Sequence, residues 1–199
     1  MTKVKLCGLT RECDIEAVNE LKPEYIGFVF ANKSKRYVSP EKAQKLKSLL
    51  NKDIQAVGVF VNEDVQKVAK LLNSNIIDIA QLHGSEDEDY IKSLRNLTSK
   101  KIIKAFKVTN EEDIKKAEQS SADFVLLDSG AGTGQTFNWT LIKNINREYF
   151  LAGGLSPENK IEAIENLHPY ALDVSSGIET DGFKDKDKMT KFVNLRKDV

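Results

Sequence analysis

The chain lacks an excess of either charge. Lys plus Arg number 30 and Asp plus Glu 30, for a formal net charge of zero. Without a field of one sign it is not built to hold nucleic acid or an anionic membrane surface. Two cysteines in 199 residues are too few for a disulfide scaffold, and the expected setting is reducing and cytoplasmic. No apolar run approaches the ~18 residues that a membrane span needs. The opening MTKVKLCGL is too short and too charged to read as a signal peptide. There is no G-x-x-x-x-G-K-[ST] and no strand-anchored G-x-G-x-x-G, so a nucleotide cofactor is not indicated. No His, Cys, Asp or Glu cluster has metal-ligand spacing, so no metal is expected. No linker, low-complexity tract or Pro- or Gly-rich stretch divides the chain, which reads as one domain over residues 1–199. A hydrophobic content of 40% with 11 glycines is ordinary for a globular protein and too high for a disordered one.

What is present is alternation. Eight apolar, β-rich runs start at Val4, Tyr25, Gln55, Ile76, Lys101, Asp123, Tyr149 and Tyr170, spaced by 21 to 30 residues. That spacing fits a strand, a helix and two short loops. The segments between carry helical periodicity, as in Ile15, Val18 and Leu21, or Val65, Val68, Ala69 and Leu72. Ser39-Pro40 and Ser156-Pro157 each read as an N-cap followed by N1. Further helices are expected over Tyr90–Leu94, around Ile114 and Ala117, over a short Asn138–Asn144, and from Asp185 to Leu195. Strand then helix, repeated, implies parallel strands joined by crossovers. Eight units without a break predict a (β/α)₈ TIM barrel of minimal length, with an open doubly wound sheet as the rival architecture.

In such a barrel the reacting groups lie at the carboxyl ends of the strands and in the loops that follow. Glycine and polar residues collect at those ends. Gly153, Gly154, Ser176 and Gly177 follow the last two strands, the usual phosphate position of the fold, where backbone N–H groups can approach an anion closely. A tight turn is the plainer reading of each glycine. Asp128 ends the apolar run FVLL, where a carboxylate is costly unless paired, protonated or facing a cavity. Cys7 stands where the first strand meets its loop, and is either a small buried hydrophobe or a functional thiol. Cys13 falls in the first helix and reads as packing. Among Lys33, Lys35 and Arg36, the planar fork of Arg36 best suits a carboxylate. His83 is read either as a satisfied hydrogen-bonding group or as a ligand contact. His168, before Pro169 at the opposite rim, reads as structural, and Trp139 as core.

These stretches carry a family resemblance. KLCGLTR (5–11), GFVF (27–30) with KRYVSP (35–40), QLHG (81–84), LDS (127–129) through Gly132-Thr133-Gly134, AGGL (152–155) and DVSSGIE (173–179) run in order over nearly the whole chain. Together they resemble the phosphoribosylanthranilate isomerase family of tryptophan biosynthesis. The match departs at Gln135, where the family's glycine-rich loop usually continues with lysine.

The resemblance implies a (β/α)₈ fold and a cofactor-independent Amadori rearrangement of N-(5-phosphoribosyl)anthranilate to the 1-deoxyribulose 5-phosphate derivative. It matches Cys7 to the general base, Asp128 to the general acid and Arg36 to the holder of the anthranilate carboxylate. Asp173 falls near the anthranilate end, and Gly153, Gly154, Ser176 and Gly177 form the phosphate site. The expected partner is that small molecule, with neither nucleic acid nor membrane, and the chain is either a monomer or a homodimer. Two other readings stay open. One is another phosphosugar aminoaldose isomerase on the same fold, although Cys7 stands where that family places an aspartate. The other is a phosphate-binding or thiol-sensing barrel without catalysis.

Overall fold

The computed structural model describes residues 1–128, 141–142 and 145–194. Eight parallel strands close into a barrel in chain order, β1 Lys3–Cys7, β2 Tyr25–Val29, β3 Gln55–Phe60, β4 Ile79–Leu82, β5 Lys101–Lys107, β6 Phe124–Asp128, β7 Tyr149–Ala152 and β8 Ala171–Val174. Closure is made by β8 against β1, with Asp173 opposite Lys5 in the register. Helices α1 Glu12–Leu21, α2 Pro40–Leu49, α3 Val65–Asn73, α4 Glu88–Leu97, α5 Glu111–Gln119, α6 Lys160–Leu167 and α7 Lys186–Asn194 follow their strands. The barrel rather than the open sheet is therefore the architecture, as the strand spacing predicts.

Each strand serves two cores, because successive side chains point to opposite faces. Outward residues such as Leu6, Ile26, Ala80 and Ile102 pack under the helices, joined by Val68 and Leu72 of α3 and Ile91 and Leu94 of α4. Each buried Leu, Ile or Val among them stabilises the fold by roughly 1.5–3 kcal/mol. Inward residues Tyr25, Val57, Ile79, Ile103, Phe124, Leu126 and Phe150 fill the barrel. Phe150 packs edge-on to Tyr25 and Phe124, with ring centroids 5.3 and 5.7 Å apart. This apolar floor makes the interior a packed core and not a pore. Polar side chains then occupy the next inward position along the strands. Gln81 follows Ile79, Asp173 follows Ala171, and Lys5 pairs with Asp173.

Helix starts follow their capping chemistry. Ser39 accepts from the Lys42 N–H with Pro40 at N1, as expected. Asp64, Asp87 and Asn110 cap α3, α4 and α5 through their side-chain oxygens, each contributing about 1 kcal/mol.

Three expectations are corrected and one element is added. The apolar run at Ile76 does not begin a strand. The N–H groups of Ile76 and Ile77 bond back to the Leu71 carbonyl and close α3, while Asp78 accepts from the Ala56 N–H, so β4 starts at Ile79. Ser156-Pro157 opens a turn and not a helix. Asn159 holds that turn, accepting from the Ser156 N–H and donating to the Gly154 carbonyl, and α6 begins at Lys160. Cys13 is exposed and not packed. Finally, β9 Glu179–Thr180 and β10 Phe183–Lys184 form an unexpected hairpin after β8. Its turn is Asp181-Gly182, both at positive φ, the dipeptide that favours a two-residue hairpin. The glycine-rich segment 129–136 with Gln135, the short helix expected over 138–144 with Trp139, and Leu195 lie outside the described residues.

Candidate active site

The carboxyl ends of the strands surround a cavity of about 490 Å³, within the usual range for a small-molecule site. Cys7, Arg36, His83, Asp128 and Asp173 line it together with Gly153, Gly154 and Ser176. The sequence candidates from six strands or their loops thus meet at one mouth. Gly177 is absent from the lining. A Cβ there would lie 2.0 Å from the Leu155 carbonyl oxygen, so this glycine lets the loop after β8 press on the loop after β7. His168 sits at the far rim in a left-handed C-cap of α6, as a structural residue.

Cys7 is the last residue of β1 and is buried. Its sulfur has room only because β2 carries a glycine beside it: a Cβ at Gly27 would stand 2.5 Å from Cys7 Sγ. Burial pushes the thiol pKa up, and this outweighs the opposing pull of the Lys5 ammonium.

That ammonium is the centre of the interior. Lys5 is fully buried and donates to Asp173 Oδ2 at 2.6 Å, to Gln81 Oε1 at 2.5 Å and to Cys7 Sγ at 3.7 Å. An ammonium has three donors, and all three are used. Burial alone would lower its pKa, but the Asp173 carboxylate and the Cys7 sulfur reverse that, and the net shift is upward. Among the described residues, Asp173 Oδ1 is a buried acceptor with no partner. Such an atom is costly when left unsatisfied.

Asp128 ends β6. Its Oδ2 lies 3.3 Å from His83 Nε2, and the other ring nitrogen of His83 is 2.9 Å from Gln81 Nε2. Arg36 reaches the mouth from the loop after β2. Its Nε and Nη2 donate to the two carboxylate oxygens of Glu179 at 2.6 and 2.7 Å. Lys184 donates to the same carboxylate at 2.5 Å. Burial would raise the Glu179 pKa, but these two cations override it and hold it low. Burial lowers the Lys184 pKa despite that contact. Arg36 is therefore oriented and not free. A guanidinium has five N–H groups, and the Nε/Nη2 side faces Glu179, which leaves the Nη1/Nη2 end for a second planar anion.

Lys5, Gln81, Glu179 and Lys184 escaped assignment in the sequence. A lysine inside the strand VKLC and a carboxylate inside ALDV were the available signal, because inward charges in a barrel must pair. Among the described residues, no three His, Cys, Asp or Glu side chains gather as a group that could hold a metal. No described helix is long and apolar enough to cross a membrane.

Comparison with known proteins bears on this site. Residues 4–195 match the family model described as N-(5'-phosphoribosyl)anthranilate (PRA) isomerase. An N-(5'-phosphoribosyl)anthranilate isomerase from Clostridium acetobutylicum is 48% identical over 202 residues, covering 97% of each chain. The crystal structure of phosphoribosyl anthranilate isomerase from Thermotoga maritima superposes with a TM-score of 0.90 at 37% identity, covering all of both chains. A structure of phosphoribosyl anthranilate isomerase in complex with reduced 1-(o-carboxyphenylamino)-1-deoxyribulose 5-phosphate superposes at 0.87 with 36% identity, again over all of both chains.

Proposed function

The chain belongs to the N-(5'-phosphoribosyl)anthranilate isomerase family, and on that footing we propose how its own residues perform the reaction. The chain is an aldose–ketose isomerase of tryptophan biosynthesis that needs no cofactor. It converts N-(5-phosphoribosyl)anthranilate into 1-(2-carboxyphenylamino)-1-deoxyribulose 5-phosphate.

Asp128 gives a proton to the ring oxygen of the ribose. The bond from C1' to that oxygen breaks, and the nitrogen lone pair forms C1'=N⁺. Cys7 removes the proton from C2', reacting through its minority thiolate form, to which the Lys5 ammonium donates. Those electrons form C1'=C2' and the iminium electrons return to nitrogen. The enolamine then loses the proton of its 2'-hydroxyl and gains one at C1', giving the ketone. The enzyme has passed one proton from Asp128 and taken one on Cys7, so reset moves a proton back. General acid or base help of this kind is worth ~10²–10⁴-fold per group.

The observation that carries this reading is that a thiol and a carboxyl from opposite parts of the chain line one cavity. The remaining lining matches the rest of the substrate. Arg36 offers its end-on fork to the anthranilate carboxylate. Gly153 and Gly154, at φ 93° and 63°, present backbone to the phosphate, with Ser176 beside them. Gly177 serves that site by packing the two loops together. Asp173 Oδ1, without a partner among the described residues, is an acceptor for a substrate N–H or O–H. The reading places the enzyme in the cytoplasm. Its test is conversion of synthesised substrate by the purified chain, followed as loss of anthranilate fluorescence. No loss of fluorescence would refute it.

A further inference from the structure

The interior polar contacts form one directed path from the base to the acid, hydrogen-bonded from Cys7 through Lys5 and Gln81 to His83 and completed by the close approach of His83 to Asp128. Lys5 has donors only, so the Gln81 atom 2.5 Å from its Nζ is the amide oxygen. That fixes the other end of the amide: Gln81 Nε2 faces His83 Nδ1 at 2.9 Å. An amide nitrogen has donors only, so Nδ1 accepts, and the imidazole proton lies on Nε2. Nε2 faces Asp128 Oδ2 at 3.3 Å. The amide cannot turn over without setting its NH₂ against the ammonium. The ammonium cannot turn away, because its other two donors are held by Asp173 and Cys7. Lys5, Gln81 and Asp173 are all buried, which strengthens each contact.

We propose that Lys5 and Gln81 are positioning residues that act through His83, setting its tautomer so that Nε2–H holds Asp128 Oδ2 and directs the acidic proton of Asp128 to Oδ1, toward the sugar ring oxygen. His83 then serves the acid and is not chiefly a substrate contact. The inference rests on Asp128 being the general acid. It goes further by making the orientation of that acid depend on the same buried cation that touches the base.

Gln81→Glu is the direct test, because it keeps size and places an acceptor at both ends. The introduced carboxylate would accept from Lys5 and also from a proton on His83 Nδ1, which reverses the tautomer. The chain has two histidines, so His168→Asn leaves a single imidazole to observe. Asparagine tolerates the left-handed φ of 46° at that position. In that background, the ¹⁵N spectrum of the ligand-free protein should show His83 protonated at Nε2 and bare at Nδ1. With Gln81→Glu added, Nδ1 should become protonated. In the enzyme, kcat should fall by roughly 10- to 100-fold with KM little changed, a smaller loss than removal of the acid itself. His83→Gln, which can return an N–H to Asp128, should retain more activity than His83→Ala.

A wild-type His83 protonated at Nδ1 alone would overturn the proposal, and so would a Gln81→Glu enzyme with wild-type kcat. If Gln81→Glu does not fold, His83→Gln against His83→Ala decides, and equal kcat in the two would overturn it. Failure of the acid assignment is a separate result: Asp128→Asn would keep turnover whatever the state of His83.

Discussion

Arg36 and Glu179, 143 positions apart, form a two-point ion pair across the mouth of the barrel, with N–O distances of 2.6 and 2.7 Å. The pair joins the loop after β2 to the hairpin after β8. It also decides which side of the guanidinium faces a ligand. A two-point contact fixes the plane of the fork, where a lysine would supply only a charge.

Arg36→Met should raise KM at least tenfold, and kcat should change less, if Arg36 holds a substrate carboxylate. Glu179→Gln should raise KM by a smaller factor. It keeps the shape but weakens the hold on both Arg36 and Lys184. Steady-state kinetics with the anthranilate substrate measures both, and an unchanged KM in Arg36→Met would remove the clamp from the mechanism.

Gly27→Ala should impair both folding and turnover. The added Cβ would meet Cys7 Sγ at 2.5 Å, and either the thiol or β2 must move. Overpacking of this kind costs about 1–3 kcal/mol. Thermal denaturation and kcat should fall together. A variant with wild-type stability and turnover would show that the space beside the sulfur is unimportant.

The Cys7 thiol should titrate above the ordinary value of ~8.5, because its burial outweighs the nearby ammonium. Lys5→Met should raise it further, by removing the cation that pulls it down and leaving Asp173 unpaired. Thiolate absorbance in a Cys13→Ser background measures this. The same shift sets a stability trend. A folded-state pKa above the unfolded one contributes stability that is complete below the unfolded pKa and lost as pH rises through the folded value. The raised pKa of Lys5 acts in the same direction at higher pH. The wild type should therefore lose melting temperature above about pH 8.5 faster than Cys7→Ala does.

Much of this was legible in the chain because strand spacing and strand ends are local properties. Cys7 and Asp128 close apolar runs, and a barrel brings such ends to one rim. Lys5, Gln81 and Glu179 lie inside the stretches that carry the family resemblance, yet their partners are 76, 143 or 168 positions away. Periodicity assigns a face and not a partner. The run at Ile76 shows a different limit. Two isoleucines that close a helix by bonding to the Leu71 carbonyl have the same composition as two that begin a strand. Ser156-Pro157 is the third case, since an N-cap signal does not distinguish a helix from the turn held by Asn159. The Asp181-Gly182 hairpin was readable from its turn dipeptide, although its two-residue strands are too short for alternation to register.

The most direct measurement is turnover of N-(5-phosphoribosyl)anthranilate by Cys7→Ala and by Asp128→Asn, set beside substrate binding by the same variants. Division of the proton transfers between these two side chains predicts that each variant binds substrate with nearly wild-type affinity and loses ~10²–10⁴-fold or more in kcat. Near-wild-type kcat in either variant would contradict it.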